Sequence, residues 1–342
     1  NLGYYSAGNQ KLGAGGDFIT APELSALFSF SLAKQLAQIL KISGGDVIEF
    51  GAGSGVMAAD ILLELERLSQ LPDHYYIIEV SADLRQRQQD TLTDKAPELL
   101  NRVEWLDELP DLINGVVVAN ELLDAMPVHR FVMRDGAPYE VMVVWDEVLT
   151  QFQTIEQPIS EQRLRLAIEQ LQLPDGYSSE INLNACDWIA TIGERIQSGA
   201  ILLIDYGYSK HDYYRPQRAD GTLLCHVQHR AHPNPLIYPG IQDITAYVDF
   251  TAIADAALDA GLHVHGYANQ ANFLLGCGIT DYLNRMVTFN SEDMVQQIEA
   301  TNQLKKLTMP GEMGEIFKVI VLSRGIDIPL IGFAIRDDRN RL

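Results

Sequence analysis

An apolar run, "DVIEF" (Asp46–Phe50), empties into "GAGSG", three glycines at alternate positions, and then into "VMAADILLELERLSQL". In that last stretch the apolar residues recur near every 3.6 positions, the spacing of an amphipathic helix. A short buried strand, a glycine loop and a helix in direct succession constrain this chain more than any other feature. Glycines let the backbone approach a ligand closely and adopt positive φ, so the loop marks a binding edge as well as a turn.

The unit recurs along the chain. "YYIIEV" (75–80) is a second strand, followed by the helical "SADLRQRQQDTL"; "RVEWL" near Val103 is a third; "GVVVAN" ends a fourth at Asn120; "AILLIDYG" (200–207) is a fifth; "HVHGYA" and "IFKVIVLSR" (316–324) are later ones. Short β-branched-rich strands alternating with helices predict parallel strands joined by right-handed crossovers. The fold class read from this is α/β, a Rossmann-like doubly wound sheet in a single domain over 1–342. Two segments interrupt the alternation. Residues 130–198 contain an Asp-Gly turn between alternating runs, a hairpin signal, and two helical patterns near 160–171 and 182–197. Residues 208–248 are loop-rich. Both are expected to form a cap on the substrate side of the sheet.

The loop reads Glu49-x-Gly51-x-Gly53-x-Gly55. A dinucleotide site wants G-x-G-x-x-G with a pyrophosphate at the helix N-terminus; here position 56 is valine, and an acid precedes the loop. Glu79 ends the second strand, where a carboxylate accepts hydrogen bonds from both ribose hydroxyls. A nucleoside without phosphates, bearing a cationic amino-acid tail, fits both acids and the loop: S-adenosylmethionine (SAM). Glu49, Gly51, Ala52, Gly53 and Glu79 are the cofactor candidates on this reading. Taken alone, the loop also fits a tight turn in a flavodoxin-like or NAD-binding protein.

Charge narrows the partners. The net charge is −21 and the pI near 4.6. No basic stripe is available for a nucleic-acid backbone, and the balance favours, weakly, a cationic substrate. Three scattered cysteines, Cys186, Cys225 and Cys277, suit a reducing compartment better than a disulfide framework. No apolar run approaches the roughly 20 residues of a membrane span, so no membrane partner is expected. The chain begins at Asn1 and not at a methionine, so its start carries no conclusion about targeting.

Several stretches together resemble the MidA-type methyltransferases of bacteria and mitochondria: "GGDFITAPELSALF" (15–28), "IEFGAGSG", "YYIIEVSADLRQRQ", "ANELLDAMPVHRF", "LLIDYG", "DGTLLCHVQHRAHPNPLIYPGIQDITAYVDFTA" and "MGEIFKVIVLSR". The resemblance runs from about Gly3 to Arg324. It implies a class I SAM-dependent methyltransferase fold with a late antiparallel strand. Two departures stand out. The loop has Gly51-Ala52-Gly53 where members often read Gly-Pro-Gly. The helix usual in the family before "GYY" is also missing, which is expected to loosen that edge of the site. The mitochondrial member makes symmetric dimethylarginine on a subunit of respiratory complex I, which implies a protein-arginine substrate; bacterial members need not share it. The implied location is the bacterial cytoplasm, or the mitochondrial matrix for a eukaryotic member.

"ANELLDAMP" begins at the rim where open α/β sheets bind ligands. Asn120 is placed near the methionine end of SAM. Glu121 and Asp124 are three apart and share a face if the segment turns helically; two carboxylates there suit an arginine guanidinium, a planar cation matched to carboxylates. The alternative makes Glu121 a helix-start acid and Asp124 a cap. Asp17, Thr20 and Glu23 form a lid over the SAM amino acid, or a capping box with a proline; both roles can coexist. Asp205 and Tyr206 sit at the same rim, either edging the substrate pocket or making a structural turn before Gly207. "CHVQHRAH" offers Cys225, His226, His229 and His232 at spacing that suggests zinc, but no second half-site accompanies it and no metal is expected. His229 is taken as a polar contact or proton acceptor in the cap, supported by Gln242, Asp243 and Thr245. Two further readings are a small-molecule O- or N-methyltransferase and a non-catalytic SAM-fold assembly factor. The intact glycine loop and Glu121 favour catalysis over the latter.

Overall fold

A computed structural model describes residues 20–227, 230–289 and 294–342. Its centre is a twisted sheet whose principal strands are β1 (Asp46–Phe50), β2 (Tyr75–Ile78), β3 (Val103–Leu106), β4 (Ile113–Asn120), β5 (Ile196–Tyr208), β6 (His263–Asn269) and β7 (Phe317–Arg324). The spatial order is β6-β7-β5-β4-β1-β2-β3, and a two-residue strand, Val248–Asp249, adds to the end of β5. β1 to β5 pair in parallel, while β7 runs antiparallel to both β5 and β6. This is the expected doubly wound sheet with a late antiparallel strand. The order reverses between β1 and β4, which opens the crevice where such sheets bind ligands.

The central strands are apolar on both faces because both are covered. Along β4, Val116 and Val118 join one core, and Val117 and Ala119 the other. Along β5, Ala200, Leu202 and Ile204 alternate with Ile201 and Leu203 in the same way. Each valine, leucine or isoleucine among them taken out of water contributes roughly 1.5–3 kcal/mol. Helices Ala26–Ser43 and Val56–Arg67 pack on the first face; Leu183–Arg195 and Phe250–Asp259 pack on the second. Ser25 starts the first of these by accepting from the Leu27 amide at 3.3 Å, and Asp249 caps the last by accepting from Thr251 and Ala252.

The inserted segments build two further sheets. Strands His129–Arg134 and Ala137–Asp146 meet at Asp135-Gly136, both at positive φ, as the Asp-Gly signal predicts. Gln151–Pro158 and Ser178–Ile181 complete this four-stranded layer, and the helix Gln162–Glu169 lies against it. Residues 208–248 are less loose than the sequence indicates. Leu224–Val227 pairs antiparallel with both Arg230–His232 and Asp243–Thr245. Three-residue strands give too few alternations to be recognised by period.

Candidate active site

The carboxyl ends of β1, β2, β4 and β5 converge on one rim. On the β1–β2 side, Gly51, Gly53 and Gly55 all have positive φ. Gly55 caps the helix Val56–Arg67 in left-handed geometry, and a β-carbon there would lie 2.9 Å from Gln88 Cα. That close approach has a use. Gln88 is fully buried and donates from Nε2 to the Gly53 carbonyl at 3.1 Å and to Glu79 Oε2 at 3.2 Å, while accepting from Trp105 Nε1 at 2.8 Å. One amide thereby ties the loop to the acid of β2. Nothing in the sequence singled out Gln88; a lone Gln in a polar helix gives no signal.

Glu79 follows β2 directly. Its Oε1 accepts from the Ser81 amide at 2.9 Å, and each carboxylate oxygen keeps a lone pair for a vicinal diol. The next residue, Val80, is 88% exposed. An apolar side chain standing free beside a held carboxylate suits the face of a purine if that acid holds the ribose. The signal for Val80, an apolar residue just past the strand's terminal acid, was present and unread. Glu49 is wholly buried, receives the Tyr75 hydroxyl at 2.6 Å on Oε2, and has no protein partner at Oε1. Burial, opposed by the Tyr75 bond and helped by Glu79, pushes its carboxyl up to about 7.

The segment before the first long helix touches both halves of the rim. Thr20 occupies the N-cap position of Ala21–Leu24, with Pro22 in the first turn, but its side chain makes no capping bond. The capping box therefore does not form. Glu23 instead accepts from the Ser54 hydroxyl in the glycine loop, and the Ala21 amide donates to Glu121. Asp17 lies outside the described residues.

On the β4–β5 side, Asn120 ends β4. Its Nδ2 donates to Glu121 Oε1 at 3.1 Å, while its own Oδ1 is buried without a partner. That open acceptor suits an ammonium such as SAM carries. Glu121 does not start a helix. It adopts a left-handed conformation, φ +53°, its amide donates to the Ile204 carbonyl at 2.9 Å, and the chain continues in turns to β-structure at His129. The conditional helical face shared by Glu121 and Asp124 is thus absent; a residue at φ +53° lies outside the right-handed helical region. The two acids remain electrostatic neighbours all the same. Glu121 Oε2 accepts from the Tyr206 hydroxyl at 3.0 Å, and burial pushes its carboxyl up to about 7.

Asp205 is the anchor of this half. Its Oδ2 accepts from the amides of Leu123 at 2.9 Å and Asp124 at 3.2 Å, and its Oδ1 from Tyr206 at 2.9 Å. Even so, burial and the neighbouring Glu121 push it up to about 8. Asp124, buried with Oδ1 unpartnered, is raised well above the ordinary range by burial and by Asp205, Glu121 and Asp243. Asp243, expected only to support the cap, is buried and adds its charge to Glu121 and Asp124. Among the described residues, no lysine or arginine pairs with Glu121, Asp124 or Asp205. Anionic groups crowded together in low dielectric, with no cation of their own, favour a cationic visitor and share protons until it arrives.

His229 lies outside the described residues. Cys225 and His232 face each other across the small sheet. Among the described residues no three His, Cys, Asp or Glu side chains are grouped to hold a metal ion. Gln242 donates to the Pro235 carbonyl at 2.6 Å, and Thr245 to that of Leu224 at 3.5 Å; both serve the cap's internal structure. None of the helices among the described residues is long and apolar enough to cross a membrane.

Comparisons with known proteins identify the family and the fold. A family model described as S-adenosyl-L-methionine-dependent methyltransferase matches residues 31–268. The crystal structure of a protein from Burkholderia thailandensis bound to S-adenosyl-homocysteine is similar over 100% of this chain and 88% of that one, with 43% identity and a TM-score of 0.95. A native crystal structure of a protein from the same organism matches at 42% identity and a TM-score of 0.91, covering 100% of this chain and 90% of that one. The mitochondrial protein arginine methyltransferase NDUFAF7 of Danio rerio is 28% identical over 93% of this chain and 78% of its own length. Its Homo sapiens counterpart is 28% identical over 94% and 76%.

Proposed function

The chain belongs to the MidA-type family of SAM-dependent methyltransferases, and on that premise we propose that it methylates arginine in a protein substrate. The observation that carries the proposal is the group of carboxylates beside Asn120, the buried Asp124, Asp205 and Asp243 and the half-buried Glu121, with no lysine or arginine paired to Glu121, Asp124 or Asp205 among the described residues. The similarity to the mitochondrial protein arginine methyltransferases supports the same reading.

SAM, when bound, supplies a methyl already activated on sulfonium, so the protein's task is alignment and charge placement. Asn120 Oδ1 and the glycine loop hold the donor's amino-acid end, and Glu79 its ribose. Glu121 takes the guanidinium. Its position is fixed by Tyr206, Asn120 and the Ala21 amide, and it is ionised by the approach of the cation. A nitrogen that gains a methyl must lose a proton, and a carboxyl poised near neutrality can accept it. Asp205 fixes the turn that carries Leu123 and Asp124. The two cap segments, 130–198 and 208–248, are assigned to the substrate side of the same domain, and Asp17, Thr20 and His229 to its lid and cap.

The test is incubation with tritiated SAM and a lysate of the source organism, gel separation, and mass spectrometry of the labelled species. The expected result is label on an arginine nitrogen of a protein. Label on an oxygen, or on a small molecule alone, overturns the substrate assignment and leaves the methyl-donor site standing.

A further inference from the structure

We propose that a second cleft, next to the acidic rim, binds a basic polypeptide segment that flanks the methylated residue. It is a cavity of about 870 Å³ between the inserted helix Gln162–Glu169 and the core helix Phe250–Asp259. That volume lies in the range of ligand-binding clefts. Its position is what gives it meaning. Tyr247 lines the cavity, and its ring centroid is 6.3 Å from that of Tyr206, whose hydroxyl binds Glu121. That pair of aromatic rings links the cleft to the carboxylates proposed to receive the acceptor.

The lining selects the occupant. Of the carboxylates that line it, Glu180 is engaged by Thr222 and Leu223 and Asp249 by the Thr251 and Ala252 amides, which leaves Glu161, Asp255 and Asp259 against two cations, Arg163 and Lys210. Arg163 is already held by Asp187 at 2.6 Å. Asp255 and Asp259 are exposed and one helical turn apart, and Glu161 is exposed on the opposite wall. Charges spaced along both walls suit successive cationic side chains better than a single small cation. Between them, Leu166, Ala167 and Ala256 offer apolar surface for the methylene stems of lysine and arginine. Tyr214 is fixed at the cleft by its hydroxyl bond to the Glu180 carbonyl at 3.1 Å, and Tyr213 by its bond with Thr222 at 3.0 Å, so the site is built before the peptide arrives. The inference rests on the protein-substrate reading above but fails separately from it.

The test uses the whole protein saturated with S-adenosylhomocysteine and a fluorescein-labelled dodecapeptide of alternating lysine and glycine. The probe lacks arginine, and anisotropy reports its binding. The double variant Asp255→Lys/Asp259→Lys should weaken binding about tenfold or more. The control Asp90→Lys/Asp94→Lys makes the same charge change on the exposed side of the helix Ala82–Lys95 and should stay within about twofold of the parent. A peptide that does not bind the parent, or that both variants weaken equally, overturns the proposal; the second outcome would reduce it to attraction by net charge. If the parent binds the probe and loses it in the cleft variant alone while the lysate assay labels only a small molecule, the cleft stands as a site for basic segments, and its place beside a methylated residue falls with the arginine assignment.

Discussion

The two halves of the rim use the same chemical group in opposite ways. On the β1–β2 side, Glu49 and Glu79 receive neutral donors of the scaffold itself: Tyr75, the Ser81 amide and Gln88. On the β4–β5 side, Glu121, Asp124, Asp205 and Asp243 are one another's charged neighbours. Donors fix the first pair in a shape, which serves a ligand of constant structure. Glu121 and Asp205 also receive scaffold donors, but Glu121, Asp124 and Asp205 crowd one another with no lysine or arginine paired to them among the described residues, which serves a cation that comes and goes. One parallel sheet can do both because its strand ends lie a few ångströms apart while the loops that decorate them are independent.

The harshest way to break the comparison is to destroy the first half alone. Gly53 has φ +55°, where a β-branched side chain is disfavoured and where its methyls would enter the ligand's space. Gly53→Val should reduce S-adenosylhomocysteine binding below detection in calorimetry, with an unchanged circular dichroism spectrum. Retained affinity would place the cofactor elsewhere.

The second test breaks the other half. Glu121→Gln keeps the shape and the Tyr206 contact but removes the charge. Transition-state stabilisation of about 3–4 kcal/mol should be lost, slowing transfer by two to three orders of magnitude. Affinity for S-adenosylhomocysteine should barely move. Parallel loss of both would assign Glu121 to the cofactor, and unchanged activity would make it a structural residue.

A smaller effect is expected at Glu79, because its partners survive it. Glu79→Ala removes charge-assisted bonds to the ribose and should weaken S-adenosylhomocysteine by about 1.5–3 kcal/mol. Since Gln88 would still bind the Gly53 carbonyl, the loop should keep its form. An effect on transfer rate at saturating SAM would show that the two halves are coupled through the loop, and would blunt the distinction drawn between them.

What the sequence made legible follows the same division. β1 was readable to its last residue because strand, glycine loop and helix carry three different signals in a row. β5 was read as 200–207 and runs from Ile196 to Tyr208, since its polar start, Gln197 and Ser198, breaks the apolar run. Glu121 was singled out from its place after a strand; its left-handed backbone and the bond of its amide to Ile204, some eighty residues on, carry no local signal. Asp243 was visible only as part of a cap. Its closeness to Glu121 is a long-range fact, and no spacing encodes it. Glu23 was read as part of a lid, of a capping box, or of both; the box does not form, and the Ser54 hydroxyl takes its carboxylate. Local rules name the residue types that a rim needs; the tertiary partners decide which of them is used, and for what.

The last prediction sharpens the comparison by titration. Burial, aided in Asp205 by Glu121, holds Glu49 and Glu121 up to about 7 and Asp205 up to about 8, whereas unfolded carboxyls titrate near 4. Between these limits the folded protein binds more protons than the unfolded chain. Stability from these groups is therefore fully present below about pH 4 and is lost as pH rises through 7 to 8. Glu64, lowered by Arg67 and Arg285 against the pull of burial, works in the opposite sense but only below its ordinary value of 4.5, outside this window. The ligand-free protein should accordingly melt several degrees lower at pH 8 than at pH 5.5, measured by differential scanning calorimetry. Glu121→Gln removes one of the titrating groups and should flatten that decline. A melting temperature that rises across the same interval would mean that the carboxylates of the β4–β5 half are already ionised and paired, and the contrast between the two halves of the rim would not survive it.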